Sequence, residues 1–318
     1  MHERILDFLK SKKEYVSGEE LSVLLKVSRQ ALWKHIQQLK DAGYDIVAVP
    51  HLGYRLINSP DRLFPVEIKN QLHTKYIARN IHYLESVSST MDIAEELAIK
   101  GAPDGTVVIA ESQTKGRGRM ARTWHSPKYK GIYLSLILRP KILPGATPVL
   151  TLLCAVSICE AIDAACALQV RIKWPNDILL QHKKVGGILT ELNAEMDSTR
   201  FVIIGIGLNV NNDKNSLIPG ATSLREHNKE ELNRVQLLQE ILRRIESNYL
   251  KFQQEGAPPI IQKWKAYNIT LGKRIKLLHQ NEHLEGMAVD IDKDGGLLLR
   301  NDAGLTQKVT SGDIVHCR

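Results

Sequence analysis

The 318-residue sequence has few cysteines and no long apolar run, and both absences narrow the classes of protein that it can encode. Its four cysteines have neither the spacing of a disulfide framework nor the C-x-x-C spacing of a zinc site. The longest uninterrupted apolar run, near residues 150–159, stops at Glu160 and is too short to span a bilayer. The first residues mix acidic and basic side chains and lack a signal-peptide core. We therefore expect a cytoplasmic protein with no membrane segment.

Signatures of several enzyme classes are absent as well. The sequence has no G-x-x-x-x-G-K-[ST] phosphate loop, nucleophile elbow, H-E-x-x-H motif or paired catalytic cysteine and histidine signature. Residues 116–121, "GRGRMA", match the G-x-G-x-x-A dinucleotide fingerprint, but a proline and a glycine follow where that fingerprint requires a helix. The sequence therefore indicates neither a covalent nucleophile nor a nucleotide site of these types.

The net charge of +8 lies mostly in the middle of the chain. Residues 1–60 carry 9 Lys and Arg against 7 Asp and Glu, residues 270–318 carry 7 against 7, and the remainder carries 27 against 21. A local basic excess favours an anionic small ligand, although an excess of this size is equally typical of a solvated surface.

The first block of the chain has the pattern of a winged helix-turn-helix. Ser17 is placed to cap a short helix with Leu21 and Leu24 facing inward, and Ser28 is placed to cap a second helix. Apolar residues repeat at helical spacing along that second helix, at Leu32, Ile36 and Leu39. The sequence then alternates in "YDIVAV", turns at "PHLG" and continues in "YRL", which predicts a hairpin.

The helix-turn-helix from Ser17 to Ile36 carries polar side chains that suit base edges and phosphates. The residues expected at the DNA are Ser28, Arg29, Gln30, Trp33, Lys34 and Gln37. Many winged helices bind proteins instead of DNA, and the small basic excess of this block is weak support for DNA. We expect DNA binding, with protein binding as the alternative.

Composition changes divide the rest of the chain. "NSPDRLFP" at residues 58–65 has turn-forming residues and two prolines, as is typical of a linker. Strand and helix patterns then alternate to about residue 268, which predicts a mixed-sheet α+β domain with helices. Short strands separated by turns follow and predict a small β-barrel of about five strands. The sequence thus predicts three domains, at residues 1–60, 61–268 and 269–318.

Residues 114–127, "TKGRGRMARTWHSP", combine two glycines, three arginines and a tryptophan in one loop. Glycine lets backbone N–H groups converge on a ligand, and the rigid guanidinium of arginine suits phosphate and carboxylate. We interpret this loop as an anion-binding site.

Three further patches suit the same ligand, and each also has a purely structural interpretation. Residues 88–90, "SST", lie at a strand-to-helix junction, where hydroxyls bind a polar group or cap the helix. Residues 173–177, "KWPND", supply an amide and a carboxylate that suit a nucleotide or Mg²⁺, or they form a turn. Residues 183–189, "KKVGGIL", place a lysine beside a glycine pair, either near a charged centre or at a solvated hairpin tip.

Taken in order behind a winged helix, "GRGRMARTW", "KWPND" and "KVGGIL" closely resemble the biotin–protein ligases that also act as biotin operon repressors. The resemblance covers essentially the whole chain, with a DNA-binding domain, a central ligase domain and an SH3-like C-terminal barrel. The family pattern G-R-G-R-x-x-R-x-W falls on Gly116 to Trp124, and the lysine of K-x-x-G-I-L falls on Lys184. Met120 stands where the pattern has a further arginine.

The resemblance implies a biotin-[acetyl-CoA-carboxylase] ligase, which activates biotin with ATP and Mg²⁺ to biotinyl-5'-adenylate and transfers biotin to one lysine of a carboxyl carrier protein. The catalytic residues that it implies are Arg119, Arg122 and Lys184. The residues that it implies for biotin are Ser89, Thr90, Gln113, Gly116, Arg117, Gly118, Arg119 and Lys184. The residues that it implies for ATP are Arg119, Arg122, Trp124, Asn176, Asp177, Lys184 and Asn209. No dedicated protein site for Mg²⁺ is identified.

The same resemblance implies operator DNA as a partner, a homodimer when the adenylate is bound, and biotin-responsive repression of biotin synthesis genes. Two alternatives stay open. A lipoate–protein ligase would share the fold and the acyl-adenylate chemistry, although the G-R-G-R loop and the winged helix argue against it. A ligand-sensing regulator without ligase activity is the other, and the joint presence of Arg119, Arg122 and Lys184 argues against it.

Overall fold

The computed structural model describes residues 1–12, 14–279 and 282–317. The chain forms two compact units, Met1–Asn70 and Gln71–Arg318. The residues that the sequence indicated as a linker, 58–65, belong to the first unit. The finer division into three domains at residues 60 and 268 stays a prediction.

The first unit is the winged helix-turn-helix that the sequence predicts. Its elements are α1 (His2–Ser11), α2 (Gly18–Leu25), α3 (Arg29–Asp41), β1 (Asp45–Val49), β2 (Gly53–Asn58) and α4 (Pro65–Lys69). The Ser17 hydroxyl accepts a hydrogen bond from the Glu20 amide at 3.0 Å, and the Ser28 hydroxyl accepts one from Ala31 at 3.2 Å. Both serines therefore cap their helices as expected, since a hydroxyl at this position satisfies an otherwise unpaired amide of the first turn.

One residue of the predicted core faces the solvent. Leu24 is 43% exposed, whereas Leu25 is 2% exposed. Leu21 and Leu25 are four residues apart and therefore share one face of α2, while Leu24 lies at the border of that face. The prediction that Leu24 points inward is wrong.

The first unit continues past its hairpin through α4. The buried carboxylate of Glu67 accepts a hydrogen bond from the Tyr44 hydroxyl at 2.8 Å and pairs with Lys10 at 2.6 Å. Leu63 is fully buried. These contacts explain why the compact unit ends at Asn70 rather than directly after the hairpin.

The core of the second unit is a mixed seven-stranded sheet. Its strands are β3 (Ile81–Leu84), β4 (Val107–Ala110), β5 (Gly131–Leu138), β6 (Val170–Lys173), β7 (Asp177–Leu180), β8 (Lys183–Glu195) and β9 (Ser198–Asn209). They are ordered β3-β4-β5-β9-β8-β7-β6, and β3 pairs with β4 in parallel while the other pairs are antiparallel. The long strands β8 and β9 lie side by side and present glycine-rich segments at the same level, with Gly187 opposite Gly207.

Helices of the second unit pack on this sheet. They are α5 (Thr90–Ile99), α6 (Pro148–Cys166), α7 (Leu224–Asn228), α8 (Arg234–Glu255) and α9 (Pro258–Tyr267). Arg234 of α8 and Glu111 after β4 have fully buried side chains and form an ion pair at 2.7 Å. Arg234 also donates to the Gly131 carbonyl at 3.0 Å, so this pair fixes α8 to two adjacent strands.

The segment Pro144–Cys166 is long and apolar enough to cross a membrane, with a mean hydropathy of 1.9. The prediction from the uninterrupted apolar run near residues 150–159 underestimated the length of this segment. Burial distinguishes a core helix from a membrane span here, because 72% of the segment's most apolar stretch is buried inside the protein. Most of this segment is the core helix α6, so no membrane protein is indicated.

The second unit ends in a five-stranded antiparallel sheet, as the turn pattern predicts. Its strands are β10 (Arg274–His279), β11 (Glu282–Ile291), β12 (Leu297–Arg300), β13 (Thr306–Val309) and β14 (Asp313–Cys317), ordered β13-β12-β11-β10-β14. The indole of Trp174 donates to the Gly295 carbonyl at 3.3 Å, and Lys173 donates to the Ile314 carbonyl at 3.0 Å. The first bond holds the turn between β11 and β12 beside the larger sheet, and the second holds the start of β14 there.

Candidate active site

A cavity of about 250 Å³ lies where the arginine–glycine loop, the start of α5 and the glycine-rich strands meet. Most of the side chains that the sequence singled out line it: Ser89, Thr90, Gln113, Arg117, Gly118, Arg119, Arg122, Trp124, Asn176, Asp177 and Lys184. They come from separate parts of the chain, so the fold brings the loop, "SST", "KWPND" and "KVGGIL" together as one site.

One end of the cavity is neutral and polar. Thr90, the first residue of α5, donates to the Gln113 amide oxygen from both its backbone N–H, at 2.8 Å, and its hydroxyl, at 3.1 Å. Gln113 in turn donates to the Ser126 hydroxyl at 3.0 Å. Ser89 accepts from the Met91 amide at 3.2 Å, so it caps the helix and also lines the cavity. This end offers ordered hydroxyl and amide groups without a formal charge.

The arginine–glycine loop closes on itself through backbone hydrogen bonds. Gly118 donates to Arg122 at 2.7 Å, and Trp124 donates to Gly116 at 2.8 Å. Gly116 supports the loop, because only glycine fits there: a Cβ would lie 2.5 Å from the Trp124 carbonyl oxygen. It does not line the cavity. The 57% exposed Met120 has a left-handed backbone with φ of 55° and lines a neighbouring cavity instead.

The loop's arginines are placed in different electrostatic surroundings. Arg119 lies 3.5 Å from Asp313 and donates to the Asn176 amide oxygen at 3.1 Å, while Arg122 lies 2.6 Å from Asp313. Burial lowers the pKa of Arg119, and the charges of Asp313 and Asp177 oppose that shift. A partly desolvated cation of this kind interacts strongly with an incoming anion.

Arg117 lines the same cavity, but two carboxylates already neutralise its charge. It forms ion pairs with Asp92 of α5 and, at 3.3 Å, with Glu191 of β8. Its side chain therefore joins the loop to a helix and a strand.

Lys184 points into the cavity from the start of β8. Its ammonium lies 2.5 Å from the Asp177 carboxylate and 5.6 Å from the centre of the Trp124 ring. The neighbouring Lys183 is exposed. The hairpin-tip interpretation therefore fits Lys183, whereas Lys184 belongs to the site.

Glycines of the two long strands make room for Trp124. A Cβ on Gly207 would lie 2.4 Å from the indole Cε2, and one on Gly187 would lie 3.3 Å from Cζ3. The indole thus lies flat against the strands and under the Lys184 ammonium. Glycine is required here by close approach rather than by an unusual backbone angle.

The "KWPND" segment forms the predicted turn between β6 and β7 and contributes to the cavity as well. The buried Asn176 donates to the Ile188 carbonyl at 2.7 Å while its oxygen accepts from Arg119. Asn209, which the sequence assigned to ATP, lies outside this cavity. It lines an adjacent one of about 170 Å³ together with Trp124 and Lys184, and it donates to Thr222 at 3.1 Å.

Several cavity residues were missed by the sequence. Asp313 stands in a separate sheet at the end of the chain, and its acidic side chain carries no local motif. Most of the others are apolar residues that a strand or helix pattern assigns to the core, namely Met91, Leu134, Ile188, Leu189, Ile206 and Ile218, and the rest are Thr123, Gly205 and Gly207. The apolar residues among them give the cavity a hydrophobic lining beside its charged groups. Within residues 1–12, 14–279 and 282–317, no group of three or more His, Cys, Asp or Glu side chains is arranged to hold a metal ion.

Comparison with known proteins agrees with this arrangement. Residues 83–209 match the biotin/lipoate A/B protein ligase family, residues 2–55 match an HTH domain, and residues 270–317 match the biotin protein ligase C terminal domain. The bifunctional ligase/repressor BirA of Bacillus spizizenii is 43% identical over 96% of this chain and 95% of its own. That of Escherichia coli K12 is 33% identical over 95% of this chain and 92% of its own.

A solved structure shows the same fold. The biotin protein ligase from Aquifex aeolicus in complex with biotin and ATP is 32% identical, has a TM-score of 0.63, and is matched over 76% of this chain and 99% of its own. The motifs around the cavity, the winged helix in front of them and these relatives lead to one assignment: the chain belongs to the family of bifunctional biotin–protein ligases and repressors.

Proposed function

We propose that this chain activates biotin with ATP to biotinyl-5'-adenylate and then transfers biotin to one lysine of a carboxyl carrier protein. The observation that carries the proposal is the single cavity that joins a neutral polar end at Thr90 and Gln113 to a cationic end at Arg119 and Lys184. Biotin has a neutral polar ring system and an anionic carboxylate, and the two ends match these groups in order.

At the neutral end, Ser89, Thr90 and Gln113 together with the backbone of Arg117 would bind the biotin head. The apolar wall formed by Leu134, Ile188 and Ile206 would then cover its hydrocarbon parts. Burying that surface contributes roughly 25 cal/mol for each Å² of apolar area removed from water. Gly116 and Gly118 would act through the loop backbone.

At the cationic end, carboxylate attack on the α-phosphate brings two anions together. Arg119, Arg122 and Lys184 would lower the cost of that approach, because their charges are held where the new negative charge develops. Asp177 and Asp313 hold these cations in position before the substrates arrive. No protein nucleophile is needed, since the substrate's own carboxylate attacks.

The nucleotide would lie between the loop and the end of β9. Trp124, Asn176 and Asp177 line the cavity, and Asn209 lines the adjacent one, which opens beside the same indole and the same lysine. Mg²⁺ would enter with ATP, because this ion commonly keeps several waters and takes one or two carboxylates together with phosphate oxygens. The carboxylate of Asp177 fits that limited role.

The winged helix would bind operator DNA and repress biotin synthesis genes when biotin is plentiful. Arg29, Gln30, Trp33 and Lys34 of α3 are exposed, as a recognition helix requires. Repression at a two-part operator would use an adenylate-bound homodimer, because paired half-sites call for two recognition helices. We also propose that the protein works in the cytoplasm, where ATP, carrier protein and DNA are all available.

Mass spectrometry of a carrier domain tests the proposed reaction. Incubation with the chain, biotin and MgATP should add one biotinyl group to one lysine, whereas lipoate in place of biotin should add nothing. Omitting ATP is the matched control, because activation requires it. Biotin-dependent DNA binding without any modified carrier would support the non-catalytic regulator instead.

A further inference from the structure

The first unit contains a cluster of nitrogen and oxygen donors that the ligase and repressor functions do not use. His2 of α1 faces His35 and Gln38 of α3 across the helix pair. The distance from His2 Nε2 to His35 Nδ1 is 3.2 Å, that from His2 Nε2 to Gln38 Oε1 is 3.0 Å, and that from His35 Nδ1 to Gln38 Oε1 is 3.3 Å. The three atoms form a nearly equilateral triangle.

Hydrogen bonds alone do not account for all three of these short distances. Gln38 Oε1 is an acceptor, so each imidazole nitrogen can donate a hydrogen bond to it. If both nitrogens carry a proton, they face one another at 3.2 Å as two donors without an acceptor between them. If only one carries a proton, that single hydrogen must serve two acceptors. Turning the Gln38 amide around supplies two donors, but it leaves two nitrogen lone pairs facing each other.

A metal ion bound by all three atoms accounts for the three short distances at once, because each atom then directs a lone pair to the ion. With metal–nitrogen and metal–oxygen bonds of about 2.0–2.1 Å, the ligand atoms of a tetrahedral site are roughly 3.3–3.4 Å apart, and adjacent ligands of an octahedral one are roughly 2.9 Å apart. The observed distances, 3.0 to 3.3 Å, lie in this range. A fourth position faces away from the triangle, and Gln38 is exposed, so water can complete the coordination.

We propose that His2, His35 and Gln38 form a binding site for a borderline transition metal of the Zn²⁺ class. Two neutral imidazoles select such ions over Mg²⁺ or Ca²⁺, which prefer all-oxygen ligands. His35 and Gln38 are three residues apart on α3 and therefore share one face of that helix. The ion would tie the N-terminal helix to the helix that carries Arg29, Gln30, Trp33 and Lys34.

Calorimetric titration of the untagged 318-residue chain with Zn²⁺ tests the site. We expect saturable binding of one ion, weakened more than about tenfold in His2→Ala and in His35→Ala, because alanine has no atom that can replace the lost ligand. His82→Ala is the matched control, since His82 is an exposed histidine of β3 outside the cluster, and it should bind like the unaltered chain.

Two further measurements keep the test decisive. Gln38→Leu removes the oxygen ligand at an exposed position where folding is not at stake, and it too should weaken Zn²⁺ binding. A Co²⁺-loaded chain should show the visible absorption of nitrogen and oxygen coordination, without the strong charge-transfer bands of cysteine sulfur. Absence of binding, or equal binding by His2→Ala, His35→Ala and the unaltered chain, would overturn the proposal.

Discussion

Lys184 and Lys183 are neighbours in the sequence, but only the first faces the reaction site. The Lys184 ammonium lies against Asp177 and over the Trp124 ring, while Lys183 is exposed on the opposite face of β8. Alternation along a strand explains the difference, because successive side chains point to opposite faces.

We therefore expect Lys184→Ala to slow adenylate formation by about 10²–10³-fold, since it removes a fixed cation from the place where phosphate charge develops. Pyrophosphate release in a single turnover measures this step. Lys183→Ala is the matched control and should retain the normal rate. Equal rates for the two variants would remove Lys184 from the reaction site.

Asp313 is the acidic residue that holds the loop's cations before substrate binds. It pairs with Arg119 and Arg122, whose like charges otherwise repel each other. In Asp313→Asn the two guanidinium groups lose this anchor, so ATP must order them as it binds.

The expected result is a KM for ATP raised about tenfold, equivalent to about 1.4 kcal/mol, with a smaller change in kcat. Steady-state kinetics with biotin at saturation separates the two constants. Asp302→Asn, at an exposed position of the same end of the chain, should leave both unchanged. A lowered KM in Asp313→Asn would show instead that Asp313 competes with the triphosphate.

At the level of elements, the two long strands and the loop fit together because glycines of β8 and β9 leave space for one indole. In Gly207→Ala the new Cβ would lie within 2.9 Å of three Trp124 ring atoms. The ring must move, and the Lys184 ammonium then loses its contact with the face of the indole.

A displacement of about 1 Å at a reacting group can cost about 10²-fold in rate, so we expect a loss of that order in Gly207→Ala. Gly145→Ala is the control, because a Cβ there meets no atom within 4 Å. Ligation rates should be measured beside thermal unfolding. A normal rate in a folded Gly207→Ala protein would contradict the role assigned to the indole.

The elements themselves were largely predictable from the sequence. Capping serines, periodic apolar residues and turn formers locate α2, α3 and the strands, because each of these signals acts over a few neighbouring residues. Leu24 was misplaced because the pattern leaves two adjacent leucines at the edge of a helical face, and only packing decides which one is buried.

The site was predictable only in part, for a related reason. The loop, Asn176 and Lys184 are marked by their residue types and by the family's motifs. Asp313 enters the cavity through a contact between distant segments, and Asn209 and Gly116 support the site from outside the cavity. Such contacts depend on how strands are ordered in the sheet, which no local spacing records.

At the scale of the whole molecule, the chain consists of two compact units with separate hydrophobic cores. The first contains the helix-turn-helix and the second contains every residue that lines the proposed reaction cavity. A compact unit with its own core can fold alone.

A chain that begins at Gln71 should therefore fold and still biotinylate a carrier domain, while its DNA binding is lost. Circular dichroism establishes folding, and the carrier assay and a mobility shift establish the two activities. Reduced affinity for biotin or ATP would be compatible with this expectation. A folded, soluble truncated chain with no ligase activity would contradict it.

We propose that biotinyl-5'-adenylate, formed in the reaction cavity, controls DNA binding by the first unit of the same chain. Such control requires that the adenylate binds more tightly to the DNA-binding state of the protein than to its other state, and DNA then strengthens adenylate binding by the same factor. The most direct measurement is the mobility shift of a biotin-operon fragment by the unaltered chain and by Lys184→Ala, with biotin and ATP or with preformed biotinyl-5'-adenylate. We predict that biotin and ATP tighten DNA binding by the unaltered chain but not by Lys184→Ala, and that preformed adenylate tightens binding by Lys184→Ala at least in part. Equal DNA affinity of the unaltered chain with and without biotin and ATP would contradict the account.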